Sequence, residues 1–120
     1  MRDKQHLTRS TEFEAVYRGG RAWRHHLLVL RALPNGLDRS RSGFPVSRRV
    51  GKAVMRNRVK RRLREIVRHA PLRSGWDMVI IARPPAAEAD YRALEEALSG
   101  LFRRAGLLVE EHEEICPGAN

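Results

Sequence analysis

The segment from Ala53 to His69 constrains this chain more than any other, because it combines one apolar stripe with a dense set of arginines. At 100° per residue its apolar members fall within about 120° of arc, as in a helix with one packed face. They are Met55, Val59, Leu63, Ile66 and Val67. The overlapping run 48–64 holds 9 Lys or Arg among 17 residues and no Asp or Glu. Since protein surfaces normally mix both signs, the segment predicts a helix that presents its cations to a polyanion.

The charge of the whole chain indicates the same kind of partner. The 120 residues include 24 Lys or Arg and 14 Asp or Glu, which gives a net charge of +10. Residues 1–70 hold 19 of the cations and only 5 of the acids, so they build most of the basic surface. This imbalance favours a nucleic acid over a membrane surface or an acidic protein.

Length and composition exclude several other classes. A chain of 120 residues suits one domain, and we expect it to be ordered over about 5–108 and to end in a flexible acidic tail, 109–120. The single cysteine, Cys116, excludes an internal disulfide framework. No apolar run approaches the roughly 20 residues of a membrane helix, and the first ten residues lack the apolar core of a secretory signal. We therefore expect a cytoplasmic protein without a membrane partner.

The remaining segments predict the order helix, strand, strand, helix, strand, helix, in one layer of helices against a small sheet. Outside the central helix they are helix Thr8–Arg18, strands His25–Leu33, Gly43–Ser47 and Met78–Ala82, and helix Ala87–Ala105. Thr11 and Glu14 fit a capping box at the first helix, with Thr8 or Ser10 as alternative caps. Pro45 cannot donate to a strand ladder, so the second strand is expected at an edge or a bulge.

Few residues suggest chemistry of their own. Phe13 and Tyr17 lie one helical turn apart, where they either stack unpaired bases or face the core, and spacing alone favours the core. His25 and His26 have no partner at metal-ligand spacing, and Ser47 has no nucleophile-elbow motif around it. We therefore expect neither a catalytic site nor a metal site on the protein.

The stretch from Gly43 to Glu65 closely resembles the signature of the bacterial ribonuclease P protein component family, whose hallmark is an Arg-Asn-Arg helix, here Arg56-Asn57-Arg58. Residues 12–20 look like the first helix of that family and 28–30 like its first strand, so the resemblance covers roughly residues 5–105. It implies an α+β fold, the ribosomal protein S5 domain 2-like sandwich of about four strands and three helices. It also implies a left-handed βαβ crossover, against the usual right-handed rule.

The resemblance further implies a function. Members assist an RNA subunit, which performs the magnesium-dependent endonucleolytic removal of the 5′ leader from precursor tRNA and leaves the mature 5′ end. The protein would then be a single RNA-binding domain and a non-catalytic component. Its partners would be the ribonuclease P RNA and precursor tRNA, with no obligatory protein partner, and the magnesium ions would be held mainly by the RNA.

Two sets of residues match the binding surfaces of the family. The set that would meet the catalytic RNA is Arg56, Asn57, Arg58, Lys60, Arg61, Arg62 and Arg64. The set that would line the track of the single-stranded leader, between the first helix and the sheet, is Phe13, Tyr17, Ser47, Arg48 and Lys52. Pro45 departs from the family pattern, which usually has a strand donor there.

Two other interpretations stay open on the residues alone. A ribosomal or RNA-chaperone module could use the same basic helix without any role in processing. A DNA-binding regulator could read a major groove with residues 54–68, although a strand rather than a helix is predicted before them.

Overall fold

The computed structural model describes residues 6–109, which form three α-helices and four β-strands, the numbers that the resemblance implied. The helices are α1 (Ser10–Gly19), α2 (Ala53–His69) and α3 (Tyr91–Ala105). The strands are β1 (Arg21–Arg24), β2 (Leu28–Pro34), β3 (Arg41–Gly43) and β4 (Trp76–Ala82). Two short 3₁₀ turns, Arg48–Val50 and Pro84–Glu88, precede α2 and α3.

The strands form one mixed sheet in the order β1-β2-β4-β3. The β1–β2 and β2–β4 pairs are antiparallel, whereas β3 and β4 are parallel and are connected through α2. This β3–α2–β4 unit is the predicted βαβ crossover, and its left hand stays a prediction. The expected acidic tail lies, apart from Val109, outside the described residues, and so does Cys116.

Helices cover both faces of the sheet, so the prediction of a single pair of layers is wrong. Leu30 and Ile80 point to one face, where they share the main core with α2 and α3. Val79 points to the other face and packs with Leu7 and with Val16 of α1. The physical reason is that β4 is apolar at successive positions, so both of its faces need a cover.

The strand β1 was missing from the sequence-based prediction, which placed one strand over 25–33. The chain instead forms a hairpin in which Trp23 lies opposite Leu30 and only Trp23 of β1 packs inward. Arg21, Ala22 and Arg24 are exposed, and so β1 lacks the apolar alternation by which a strand is recognised.

The cap of α1 also differs from the prediction. The Glu12 carboxylate, not a Thr11–Glu14 pair, reaches back and accepts the backbone N–H groups of Thr8 at 2.9 Å and Arg9 at 3.0 Å. Glu12 is the third residue of the helix, the position from which a side chain reaches the free N–H groups at a helix start.

The last helix begins at Tyr91 rather than at Ala87, because the 3₁₀ turn takes up the residues in between. Asp90 is its N-cap and accepts the backbone N–H of Ala93 at 2.8 Å. Gly106, with φ of 73°, ends the helix in the left-handed conformation that glycine adopts without strain.

The strand predicted over 43–47 is displaced: β3 spans Arg41–Gly43, and only Val46 makes a further bridge, to Ala82. The edge position expected from Pro45 is confirmed, since β3 is the outermost strand. Pro45 accepts the Ala82 N–H through its carbonyl at 3.3 Å, and at an edge its missing N–H costs no ladder hydrogen bond.

Candidate nucleic-acid interface

The helix α2 packs as its sequence predicted. Val59, Leu63 and Ile66 are buried against the sheet and α3, while Met55 and Val67 are half-buried at the margins of the stripe. Six residues of the predicted catalytic-RNA set lie on the rest of the helix surface, whereas the seventh, Arg56, falls within the arc of the apolar stripe near the start of the helix. Asn57, Arg61 and Arg64 are exposed, and the other four are half-buried.

These seven side chains do not form one uniform surface. Arg62 points toward α3 and donates from Nη1 to the Ala89 carbonyl at 2.9 Å. Arg56 turns back along the helix and donates from Nε to the Gly51 carbonyl at 3.2 Å. On the opposite flank, Lys60 and Arg64 line a groove beside α1. Between the two flanks lies an exposed crest, formed by Asn57 and Arg61, and α2 has no acidic residue before Glu65.

The groove has a volume of about 260 Å³ and lies between α1, β3 and α2. Phe13 lines it together with Gly43 and Pro45 of the sheet edge, and Lys60 and Arg64 line it from α2. One side of Phe13 packs on the small core of Leu7, Val16 and Val79, so the core and base-stacking interpretations each describe part of this ring. An aromatic side chain next to cations is the combination that binds single-stranded nucleic acid.

The close approach of Phe13 to the sheet depends on Gly43. A Cβ atom at position 43 would lie 2.5 Å from two atoms of the Phe13 ring, well inside van der Waals contact. The bare backbone of β3 therefore forms the floor on which the ring rests.

We expect Gly43→Ala to destabilise the protein by about 1–3 kcal/mol, because the added methyl must displace Phe13 or the strand. Thermal unfolding measures the change. Gly100→Ala is the matched control, since a Cβ there meets nothing within 4 Å, and within a helix this replacement should stabilise by about 0.5–1 kcal/mol. Equal effects of the two substitutions would contradict the packing described here.

Tyr17 lies one turn beyond Phe13 and does not line the same groove. Its side chain is 41% exposed, and the Arg31 guanidinium carbon lies 5.6 Å from its ring centroid. Arg31 also donates from Nη2 to the Tyr17 carbonyl at 2.8 Å. Val29 of β2 and Ile81 of β4 lie opposite each other on the sheet face that α1 covers. Both side chains are half-buried. Tyr17 thus presents an exposed ring stacked on the half-buried Arg31, at the margin of the sheet face that α1 covers.

The other three residues of the predicted leader set lie farther along the chain from β3. Ser47 caps the first 3₁₀ turn and accepts the backbone N–H of Arg49 at 3.2 Å. Arg48 is the first residue of that turn, Lys52 directly precedes α2, and all three predicted residues are exposed. The five residues of the predicted leader set therefore do not line one continuous groove. Phe13 is in the groove and Tyr17 is beside Arg31. The other three, Ser47, Arg48 and Lys52, lie just before α2.

Sequence reasoning missed Arg31 and assigned Lys60 and Arg64 only to the other surface. The guanidinium carbon of Arg64 lies 5.9 Å from the centroid of the Phe44 ring, which follows β3. No local pattern indicates these positions, because they depend on how α2 and β2 meet α1 in space.

A partly buried ion-pair network lies at the start of α1. Arg41 donates from Nε to Oδ1 of Asp77 at 2.8 Å and from Nη2 to Oδ2 at 2.7 Å. Its Nη1 donates to Oε2 of Glu12 at 2.9 Å, and Asn35 donates to Oδ1 of Asp77 at 2.8 Å. The pKa of the Glu12 carboxyl is lowered, first by the backbone N–H groups of Arg9 and Thr8 and then by the charge of Arg41. The carboxylates raise the pKa of Arg41, chiefly through the Asp77 hydrogen bonds.

Within residues 6–109, no three or more His, Cys, Asp or Glu side chains are placed to hold a metal ion. Over the same part of the chain, no helix combines the length and apolar character needed to cross a membrane.

The fold and this surface together define a class: a small α+β protein with a cationic helix beside an aromatic groove. Residues 1–106 match the family model for ribonuclease P. The chain is 41% identical over 120 residues to the ribonuclease P protein component of Dehalococcoides mccartyi, with all of both chains covered. It is 40% identical over 114 residues to that of Caldanaerobacter subterraneus, covering 92% of this chain and 98% of the relative. The chain belongs to the ribonuclease P protein component family.

Solved structures of the same family share this fold. The ribonuclease P protein of Staphylococcus aureus superposes with a TM-score of 0.80 at 26% identity, covering 88% of this chain and 98% of that one. The protein from Thermotoga maritima superposes with a TM-score of 0.76 at 31% identity, covering 82% and 96%. The α+β architecture expected from the resemblance is therefore confirmed.

Proposed function

We propose that this protein is the non-catalytic subunit of a ribonuclease P that removes the 5′ leader of precursor tRNA. In this proposal the ribonuclease P RNA holds the magnesium ions and cleaves one phosphodiester bond. The crest of α2 binds that RNA, and α1 with the neighbouring groove binds the single-stranded leader. The holoenzyme acts in the cytoplasm and needs no further protein.

One observation carries the proposal: α2 has no acidic residue before Glu65, and one of its flanks borders the groove that Phe13 lines. Arginines on and beside the exposed crest can donate paired N–H groups to phosphates. The aromatic rings can stack unpaired bases. The same molecule can thus hold a structured RNA on one side and a single strand on the other, whereas a general RNA chaperone does not need two such surfaces.

Reconstitution with the RNA subunit tests where the chemistry resides. We expect the purified protein alone to cleave no precursor tRNA at any magnesium concentration. The RNA alone should cleave at high magnesium and salt, and adding the protein should lower the magnesium requirement, because its cations replace screening ions and the held leader positions the scissile phosphate.

Two outcomes would contradict the proposal. One is cleavage by protein that has been freed of RNA by nuclease treatment and repurified. The other is a magnesium optimum of the RNA that does not move when the protein is added.

The leader surface has its own test. Phe13→Ala should weaken the binding of a precursor with a leader of several nucleotides by roughly 1–3 kcal/mol, the value of one stacked base. Binding of mature tRNA should barely change, and circular dichroism should show that the variant folds. Equal losses for both substrates would make Phe13 a core residue or a general contact.

A further inference from the structure

We propose that Arg41 is a positioning residue. By joining Glu12 to Asp77 it fixes α1, and with it the aromatic side chains of that helix, in the orientation that a single-stranded leader requires. The inference rests on the proposed function, since it takes α1 to be one wall of the leader track.

Besides this network, α1 is held by the packing of Phe13 and Val16 and by the hydrogen bond from Arg31 to the Tyr17 carbonyl. The helix has 10 residues, fewer than the roughly 12–15 at which an isolated helix becomes even marginally stable. Val16 is its one fully buried residue. The adjoining cluster adds only Leu7, Val79 and partly buried neighbours. Packing this limited permits small rotations of the helix, and each rotation would move Phe13 relative to Gly43.

The geometry of Arg41 opposes such rotations. Its planar guanidinium meets both oxygens of Asp77 near the start of the inner strand β4 and one oxygen of Glu12 in the first turn of α1. The side chains of Arg41 and Glu12 are 19% and 20% exposed, and that of Asp77 is 6% exposed. A buried ion pair contributes little net stability compared with apolar packing, yet it permits few arrangements of its partners. The function that follows for this network is orientation of α1.

The two oxygens of Glu12 accept hydrogen bonds from different groups. The contact with Arg41 can therefore be tested without removing the cap of α1. Oε1 accepts the N–H groups of Thr8 and Arg9, whereas Oε2 accepts from Arg41. A glutamine can still accept through its single oxygen, and glutamine is a natural member of the capping box. Its NH₂ group, however, would face the donating guanidinium of Arg41. Glu12→Gln should therefore keep the helix start and break the tie.

The experiment compares two substrates of the reconstituted holoenzyme, a precursor with a leader of several nucleotides and a leaderless tRNA. The dissociation constant of the leaderless tRNA divided by that of the precursor measures the contribution of the leader. We expect Glu12→Gln to reduce this ratio about two- to ten-fold, because aromatic side chains that are no longer held in place must be ordered on binding. The matched control is Glu14→Gln, which makes the same charge change on the same helix. Among residues 6–109, Glu14 pairs with Arg18 on the open surface, so the ratio should not change.

Arg41→Lys is a second variant, since lysine keeps the charge but cannot form the fork. It should lower the ratio as Glu12→Gln does, while the affinity for the RNA subunit stays unchanged. Equal ratios for Glu12→Gln and Glu14→Gln would overturn the proposal, and so would equal losses for both substrates. If Phe13→Ala lowers the ratio and Glu12→Gln does not, only the positioning role fails. If neither lowers it, the leader surface itself is wrong.

Discussion

Replacing Arg58, Arg61 and Arg64 together by alanine should weaken binding of the RNA subunit by roughly 100-fold or more at low salt, since hydrogen bonds to charged groups are among the strongest that proteins make. The slope of log K against log salt should flatten by about 2 to 3 units, because each arginine displaces about one counterion. Filter binding over a salt series measures both. Within the part of the chain that the structure describes, none of the three side chains donates a hydrogen bond to the rest of the protein, unlike Arg56 and Arg62.

The control removes the same charge elsewhere. Arg18, Arg92 and Arg103 are exposed and lie outside α2, so replacing all three by alanine lowers the net charge equally. We expect the slope to change by less than about 1 unit, because long-range attraction is screened beyond roughly 10 Å at 0.1 M salt. Equal slopes for the two triple variants would mean that only the net charge matters and that α2 is not the RNA-binding helix.

The second large effect concerns stability. Arg41→Met should lower the free energy of unfolding by about 3–5 kcal/mol, because it leaves the Asp77 carboxylate buried without its ion pair. Urea denaturation measures the loss. Arg18→Met should cost at most about 1 kcal/mol, because its pair with Glu14 is solvated, with side chains 78% and 63% exposed. If the two losses are similar, the network at Arg41 is no more than a surface pair.

The same network predicts how stability depends on pH. The pKa of Glu12 is lower in the folded protein than its ordinary value of 4.5, so the folded state favours the ionised carboxylate. Its contribution is therefore complete above about pH 4.5 and is lost as the pH falls through the lowered pKa. Glu12→Gln should make stability less sensitive to acid in this range than Glu14→Gln does, as measured by urea midpoints at pH 5 and pH 3.

Local patterns predicted α2 and much of the core. An apolar stripe of helical period indicates the buried face of a helix, and a strand that is apolar at successive positions indicates burial on both of its faces. Helix α2 begins and ends where its periodicity does. The short strand β1 and the placement of α1 on the second face of the sheet could not be predicted in this way. Both depend on which neighbours a few residues meet, and residues such as Arg21 and Arg24 carry no sign of that.

The same distinction applies to the candidate site, where only some of the residues could be predicted from the sequence. The cations of α2 are evident from the sequence, since a block without acids needs no structural context. The Glu12–Arg41–Asp77 network is not, since its members are 29 and 36 residues apart and look like ordinary surface charges. The family resemblance assigned Phe13 and Tyr17 to the leader, whereas their spacing alone favoured a position in the core. The assignment of both rings to the leader stays a prediction.

The position of β4 between β2 and β3 affects how the chain can fold during synthesis. Until residue 82 has been made, the sheet lacks β4, the inner strand that pairs with both β2 and β3, and a domain generally folds as a unit. By then the ribosome has already produced residues 1–70, with 19 cations and 5 acids. We expect a nascent segment this basic to be attracted to ribosomal RNA before it has a fold. Because β4 is synthesised after the basic segment, folding of this protein competes with its nonspecific binding to ribosomal RNA.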